Sequence, residues 1–126
     1  MSMTYKALQI EEDLGKGFMA VTVSGKLESD DYDFLGMEVD RMVSLHGKIR
    51  VLIELEDFHG WTAGAAWEDA KMGIRHYSHI ERMAVVGENK WEKNMTLFVK
   101  PFTGAELRYF DASDSEAALE WVLEKV

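Results

Sequence analysis

Two short apolar runs constrain the fold most strongly, because each has the length of a buried strand. They are IRVLIEL at residues 49–55 and RMAVVG at residues 82–87. Near-continuous apolar runs of this length are typical of parallel strands that helices cover on both faces. A segment with helical spacing of apolar residues follows each run. This alternation of strands and helices predicts an α/β fold with a mainly parallel sheet.

The N-terminal third predicts a β-hairpin followed by a helix. Residues 5–12 and 17–25 alternate apolar and polar side chains, and DLGKG between them has the composition of a hairpin turn. Ser29 is a suitable N-cap for the helix that follows. Asp30 and Asp31 would then occupy its first turn, where the helix dipole favours negative charge.

The rest of the chain predicts three further helices and one more strand. The helix that begins near Ser29 ends at HGK, residues 46–48, where glycine follows its last turn. Thr62 would cap a second helix, and residues 89–102 predict a short third helix that Pro101 ends. A strand at 105–110 precedes the capping-box sequence SDSE, which opens a last helix from Ser113 to about Lys125. The whole chain, 1–126, is therefore expected to form one domain with about four helices.

The composition excludes several classes of function. The chain has no cysteine, which excludes disulfides, thiolate metal sites and cysteine catalysis. Its formal net charge is −9, which repels nucleic acids and anionic lipids at long range. No apolar stretch is long enough to cross a membrane, and the N-terminus lacks the apolar core of a signal peptide. These features fit a cytoplasmic protein.

Two loops are expected to lie together at one edge of the sheet. EDFHGWTAG follows the strand at 49–55, and GENKW follows the strand at 82–87. Ligands of open α/β sheets bind beyond the carboxyl ends of strands, near the point where the strand order reverses. We therefore expect the functional edge of the protein at these two loops.

The first of these loops offers both packing residues and a candidate binding site. A helix that begins at Thr62 would present free backbone N–H groups to an anion or a phosphate, although Thr62 also suits a plain cap. Trp67 begins the apolar stripe of that helix and is expected in the core. Phe58 is expected to anchor the loop to the core, whereas Trp61 lies in the loop, where a large aromatic side chain is harder to bury, and is a candidate pocket or surface residue.

The third predicted helix has two interpretations. Its apolar residues Trp91, Met95, Phe98 and Val99 fall on one face, and lysines flank them. This pattern is typical of a helix packed on a sheet. It is also typical of a helix that lies at a membrane interface with its lysines directed to lipid head groups.

The polar residues do not predict an enzyme or a metal site. His76 and His79 have a spacing that could share a metal ion, but no carboxylate completes a known pattern. The acidic residues around the first loop are expected to be solvated or to lie at the start of a helix. No nucleophile, nucleotide-binding or phosphate-binding motif is present. We therefore expect a non-enzymatic protein without a cofactor.

Several stretches resemble one known family. HGKIRVLIEL, DFHGWTAGAAWED, ERMAVVGENKW, PFTGAELRYFD and EAALEWV together resemble the SpoIIAA-like family, small bacterial proteins related to STAS domains. The resemblance covers nearly the whole chain, and its most specific parts are the tryptophan loop and AELRYFD. It implies the STAS-type sandwich of a sheet with helices.

The resemblance also implies two kinds of function. STAS domains are often anti-sigma-factor antagonists that are switched by phosphorylation of a serine after the central strand, within the pattern Asp-Ser-Ser-Gly. The corresponding residues here are Trp61, Thr62, Ala63 and Gly64, so Thr62 would take the phosphoacceptor position while tryptophan and alanine replace the aspartate and the second serine. The architecture is also similar to that of CRAL-TRIO (Sec14-like) domains, which hold lipids.

The leading hypothesis from the sequence is a regulatory module that binds an apolar or lipid-like ligand and touches a membrane peripherally. The expected ligand-binding residues are Phe58, Trp61, Trp67, Tyr77, Trp91, Met95 and Phe98. The expected membrane-contact residues are Lys90, Trp91, Lys93, Phe98 and Lys100. The alternative is an anti-sigma-antagonist type of switch that binds a protein partner, with Thr62 as its phosphoacceptor. The sequence leaves a homodimer open and predicts no nucleic-acid partner.

Overall fold

The computed structural model describes residues 2–61, 79–88 and 106–124, with residues 27, 32 and 59–61 described by their backbone alone. Six strands form one sheet, and they lie side by side in chain order. The strands are β1 (Ser2–Tyr5), β2 (Leu8–Asp13), β3 (Phe18–Leu27), β4 (Ile49–Trp61), β5 (Ile80–Gly87) and β6 (Glu106–Asp111). The described helices are α1 (Ser29–His46) and α2 (Ser115–Leu123). Neither of these two helices has the length and apolarity to cross a membrane.

The sheet is mixed rather than mainly parallel. β1 pairs with β2 and β2 with β3 in antiparallel fashion, whereas β3, β4, β5 and β6 pair in parallel. The predicted N-terminal hairpin is therefore present and adjoins a parallel block of four strands. Two of the four predicted helices are α1 and α2, and the helices predicted over 62–77 and 89–100 lie outside the described residues.

Each face of the sheet carries its own apolar core. On one face, α1 contributes Leu35, Val39 and Met42 to a cluster with alternate residues of β2 to β6. On the other face, Ala118 and Val122 of α2 pack in a cluster that includes β4 and β5. Burial on both faces explains why β4 and β5 have near-continuous apolar sequences.

The strand predicted at 5–12 is two strands, which is a correction. Lys6 has a φ of 46°, and Tyr5 pairs with Leu8, so the chain reverses within two residues. A lysine gives no turn signal in the sequence, and the alternation therefore looks continuous. The turn places Tyr5 near the start of α1. There the Tyr5 ring stacks on the Phe34 ring with 4.5 Å between ring centroids.

Both helices begin at a different residue from the predicted one. The N-cap of α1 is Glu28 rather than Ser29, and the Oδ2 atom of Asp31 accepts a hydrogen bond from the Glu28 N–H at 2.9 Å. The carboxylate of Asp31, the third helical residue, thus accepts a hydrogen bond from the backbone N–H of the N-cap residue. A serine at the N-cap does not satisfy this N–H with its own side chain. α2 begins at Ser115, because residues 112–114 form a separate 3₁₀ turn. Gly47 ends α1 as predicted, with a φ of 92°.

Candidate functional site

β4 does not end at residue 55, as the sequence suggests, but continues to Trp61. Its pairing with β3 passes from Ser24↔Glu56 to Gly25↔Phe58, so Asp57 is an extra residue with a φ of 47°. Such a bulge reverses the alternation of side chains along the strand. It turns Phe58, in place of Asp57, toward the α1 face, where Phe58 is 5% exposed. The expectation that Phe58 anchors this segment to the core is confirmed.

The same pairing fixes where β4 ends. A second irregularity follows Gly25, and the last pair is Leu27↔Trp61. Trp61 is thus the last strand residue rather than part of a loop, which corrects the prediction. The end of β4 therefore lies beside the end of β3, close to the turn into α1, whose first residue is Ser29.

The carboxyl ends of β3, β4, β5 and β6 meet at one edge of the sheet, which we call the carboxyl edge. β4 and β5 are parallel neighbours, so their carboxyl ends share this edge as expected, and the loops beyond Trp61 and Glu88 lie outside the described residues. The six strands follow chain order, so no reversal of strand order occurs at this edge among the described strands. The crevice that such a reversal creates in doubly wound folds is therefore missing from the described sheet.

Exposed carboxylates mark the described part of the carboxyl edge. Glu56 and Asp57 of β4, Glu88 after β5 and Asp111 at the end of β6 are all exposed. Among the described residues, no three acidic or histidine side chains are placed to hold a metal ion. The edge therefore presents negative charge to a partner without the geometry of a metal centre in this part of the chain.

A charged cluster joins the β1–β2 turn to the start of α1. Asp30 forms an ion pair with Lys6 and accepts a hydrogen bond from the Tyr5 hydroxyl at 3.2 Å. The hydrogen bond from Lys6 lowers the pKa of Asp30 and raises that of Lys6. Partial burial, with the nearby Asp30 charge, raises the pKa of Tyr5. Asp30 lies 24 positions after Lys6 and 25 after Tyr5 in the chain, so no local sequence pattern identifies the cluster.

Asp31 is the most buried charged residue of this region, at 1% exposed. One carboxylate oxygen accepts a hydrogen bond from the Glu28 N–H, and the other, Oδ1, is buried without a hydrogen-bond partner among the described residues. A buried carboxylate with only part of its hydrogen bonds is costly. Its position in the first turn of α1 offsets some of that cost, because the helix dipole favours negative charge there.

Most of the residues that the sequence nominates lie outside the described residues. Phe58 is in the core, and Trp61 is placed by its backbone alone at the end of β4. The nominated residues outside the described part of the chain are Thr62, Trp67, Tyr77, Lys90, Trp91, Lys93, Met95, Phe98 and Lys100. Their roles therefore stay predictions.

The comparisons with known proteins agree with this architecture. The family model described as SpoIIAA-like matches residues 18–123. An uncharacterized protein of the DUF3478 family from Shewanella loihica PV-4, with a SpoIIAA-like fold, is 28% identical and has a TM-score of 0.74, with 92% of each chain covered. The anti-sigma factor antagonist SpoIIAA in its unphosphorylated form is 12% identical and has a TM-score of 0.63, with 91% of this chain and 97% of that chain covered. None of the curated proteins compared matches the chain. The chain belongs to the SpoIIAA-like family.

Proposed function

We propose that this chain is a non-enzymatic regulatory module that binds a protein partner at its carboxyl edge and that Thr62 is its phosphoacceptor. The partner would contact the end of β4, the turn into α1 and the exposed carboxylates beside them. A phosphate on Thr62 would add negative charge at this edge and so change its affinity for the partner.

One observation carries this proposal, the pairing of Leu27 with Trp61. It means that Thr62 follows a strand that is held in the sheet to its last residue. It also means that Trp61, the residue before Thr62 in the sequence, pairs beside the turn that leads to Ser29 of α1. The end of β4 thus adjoins the start of α1, and a modification of the residue next in sequence suits a switch that a partner bound at this edge must detect.

The comparison with SpoIIAA supports the proposal at the level of the fold. That protein is an anti-sigma factor antagonist whose structure was determined in its unphosphorylated form. At 12% identity the similarity concerns the fold. The extension to partner binding and to Thr62 rests on the local sequence and on the path of β4.

A pull-down with three baits tests the proposal. Wild type, Thr62→Ala and Thr62→Glu are used as baits in extracts of the source organism, and the retained proteins are compared. We expect a partner that binds wild type and Thr62→Ala and that is lost with Thr62→Glu. Ser44→Glu is the matched control, because Ser44 is exposed on α1 and should not alter capture. Intact-mass analysis of the native protein should also show a single phosphate that maps to Thr62.

The binding of an apolar ligand with membrane contact is the second candidate function from the sequence. Its nominated side chains at 89–100 lie outside the described residues, so the described part of the edge provides the relevant observation. Glu56, Asp57 and Glu88 are exposed there, and carboxylates repel anionic lipid head groups. For this reason we rank a protein partner before a membrane.

A further inference from the structure

Four arginines lie in the described part of the chain, and Arg108 differs from the other three. The ion pairs of the others are Arg41 with Glu12 and Glu38, Arg50 with Glu81, and Arg82 with Glu106 and Glu124. Arg108 forms no ion pair with a described residue. Its guanidinium lies instead over the rings of Phe110 and Trp121, at 5.2 and 5.3 Å from their centroids.

The two rings orient the Arg108 guanidinium without using its N–H donors. A guanidinium stacked on aromatic faces keeps the donors at its planar edge available. Trp121 is itself held, because Arg82 donates a hydrogen bond to its carbonyl at 2.8 Å and lies 5.1 Å from its ring centroid. Arg108 is also exposed. An exposed and oriented guanidinium loses little conformational entropy when it binds a carboxylate.

Arg108 lies on β6, the last strand at one edge of the described sheet. The outer N–H and C=O groups of an edge strand can pair with an extended segment of another protein. Phe110 joins the cluster on the α2 face, whereas Leu107 and Tyr109 belong to the α1 face. Because paired strands place opposite side chains on the same face, an added strand would bring alternate side chains beside Arg108.

We infer that β6 and Arg108 form a docking surface for an extended, acidic segment of a partner protein. The segment pairs with the backbone of β6, and one of its carboxylates accepts two hydrogen bonds from the Arg108 guanidinium. Charge complementarity selects an acidic segment, because Arg108 is the described arginine that no described carboxylate neutralises. The surface lies on β6 and α2, so it does not depend on Thr62 or on the proposed function.

Titration with a short peptide tests this surface directly. The probe is an acetylated and amidated heptapeptide in which threonine alternates with glutamate, added to isotope-labelled protein and followed by amide NMR shifts. We expect shifts at residues 106–111 and at the Trp121 indole. Arg108→Gln should weaken binding roughly tenfold or more, as expected for a lost hydrogen bond to a charged group. Lys48→Gln, which removes another exposed positive charge, should bind as wild type does.

Four results of the peptide titration would overturn the inference. The first two are the absence of any amide shift at millimolar concentrations of peptide and shifts that map to β1 instead of β6. The other two are equally strong binding of a peptide with glutamine in place of glutamate and unchanged binding of the original peptide by Arg108→Gln. Competition by inorganic phosphate at the concentration of the peptide would also overturn it, since the site would then recognise an anion rather than an extended segment. The unchanged amide spectrum of free Arg108→Gln serves as the check that this variant is folded.

Discussion

At the scale of single residues, Gly17 is the described glycine that is least able to accept a side chain. Its φ is 60°, and a Cβ atom there would collide with the ring of His46 at the end of α1. Its N–H donates to the Leu14 carbonyl at 3.2 Å, and its carbonyl accepts from the Arg50 N–H at 2.8 Å. We expect Gly17→Ala to lower the free energy of unfolding by about 1–3 kcal/mol, measured by urea denaturation.

The control for this prediction is two residues away. A Cβ on Gly15 would meet only the Asp13 carboxylate, at an ordinary 3.5 Å. Gly15→Ala should therefore change the free energy of unfolding by less than about 0.5 kcal/mol. Equal effects of the two substitutions would contradict the role assigned to the His46 contact.

Residue-scale features were predictable only where the cause lies in the local sequence. Phe58 was expected in the core because it is a large apolar side chain after a buried strand, and Gly47 was expected to end α1. The bulge at Asp57 was not predictable, because it depends on how β4 pairs with Ser24 and Gly25 of β3. The same holds for Lys6, whose positive φ is fixed by the pairing of Tyr5 with Leu8.

At the scale of elements, one carboxylate links β2 to α1 and makes stability depend on pH. The Glu12 side chain is 3% exposed and pairs with Arg41, which also contacts Glu38. Burial, followed by a hydrogen bond with Glu38, raises the pKa of Glu12 above its ordinary 4.5. The folded state therefore holds the Glu12 proton to a higher pH than the unfolded state does.

This difference gives a stability change of known sign. As pH rises from 4.5 through the raised pKa of Glu12, the folded state must ionise a buried group, and the free energy of unfolding falls. Urea denaturation across that range should show the fall in wild type and lose it in Glu12→Gln. The control is Glu11→Gln, since Glu11 is an exposed neighbour on β2. Retention of the slope in Glu12→Gln would assign it to another group.

A second link between elements holds the end of α2 on the sheet. The Arg50 guanidinium donates to the Val122 carbonyl at 3.0 Å and also to the Glu124 carbonyl. Carbonyls at a helix end have no partner within the helix, and a positive charge there is favourable. We expect Arg50→Gln to cost roughly 1.5–3 kcal/mol and to speed amide exchange in α2. Lys48→Gln should do neither, and equal exchange rates in both variants would contradict this role.

At the scale of the whole molecule, the alternation of strands and helices was the sequence feature that predicted the fold class correctly. It predicts an α/β fold because apolar spacing is a local property of each segment. The order of the strands in the sheet was not predictable, because the spacing of apolar residues does not encode which strands become neighbours. The carboxyl edge was nevertheless predictable, since adjacent parallel strands must end on the same side.

The charge of the whole molecule also decides between the two candidate functions. With a net charge of −9 and exposed carboxylates at the described part of the carboxyl edge, electrostatic repulsion opposes contact with anionic lipid. We expect wild type to stay in the supernatant when it is sedimented with anionic or zwitterionic vesicles. The double variant Trp91→Ala/Phe98→Ala should behave in the same way.

The opposite result would reverse the ranking of the two functions. If wild type pellets with vesicles and the double variant does not, the apolar side chains of the 89–100 segment outweigh the repulsion, and membrane contact takes first place. Salt separates the two forces in that case. Binding that strengthens with added salt would mean that an apolar surface works against a screened repulsion. Binding that weakens would identify Lys90, Lys93 and Lys100 as the attachment to anionic lipid, because screening then removes an attraction.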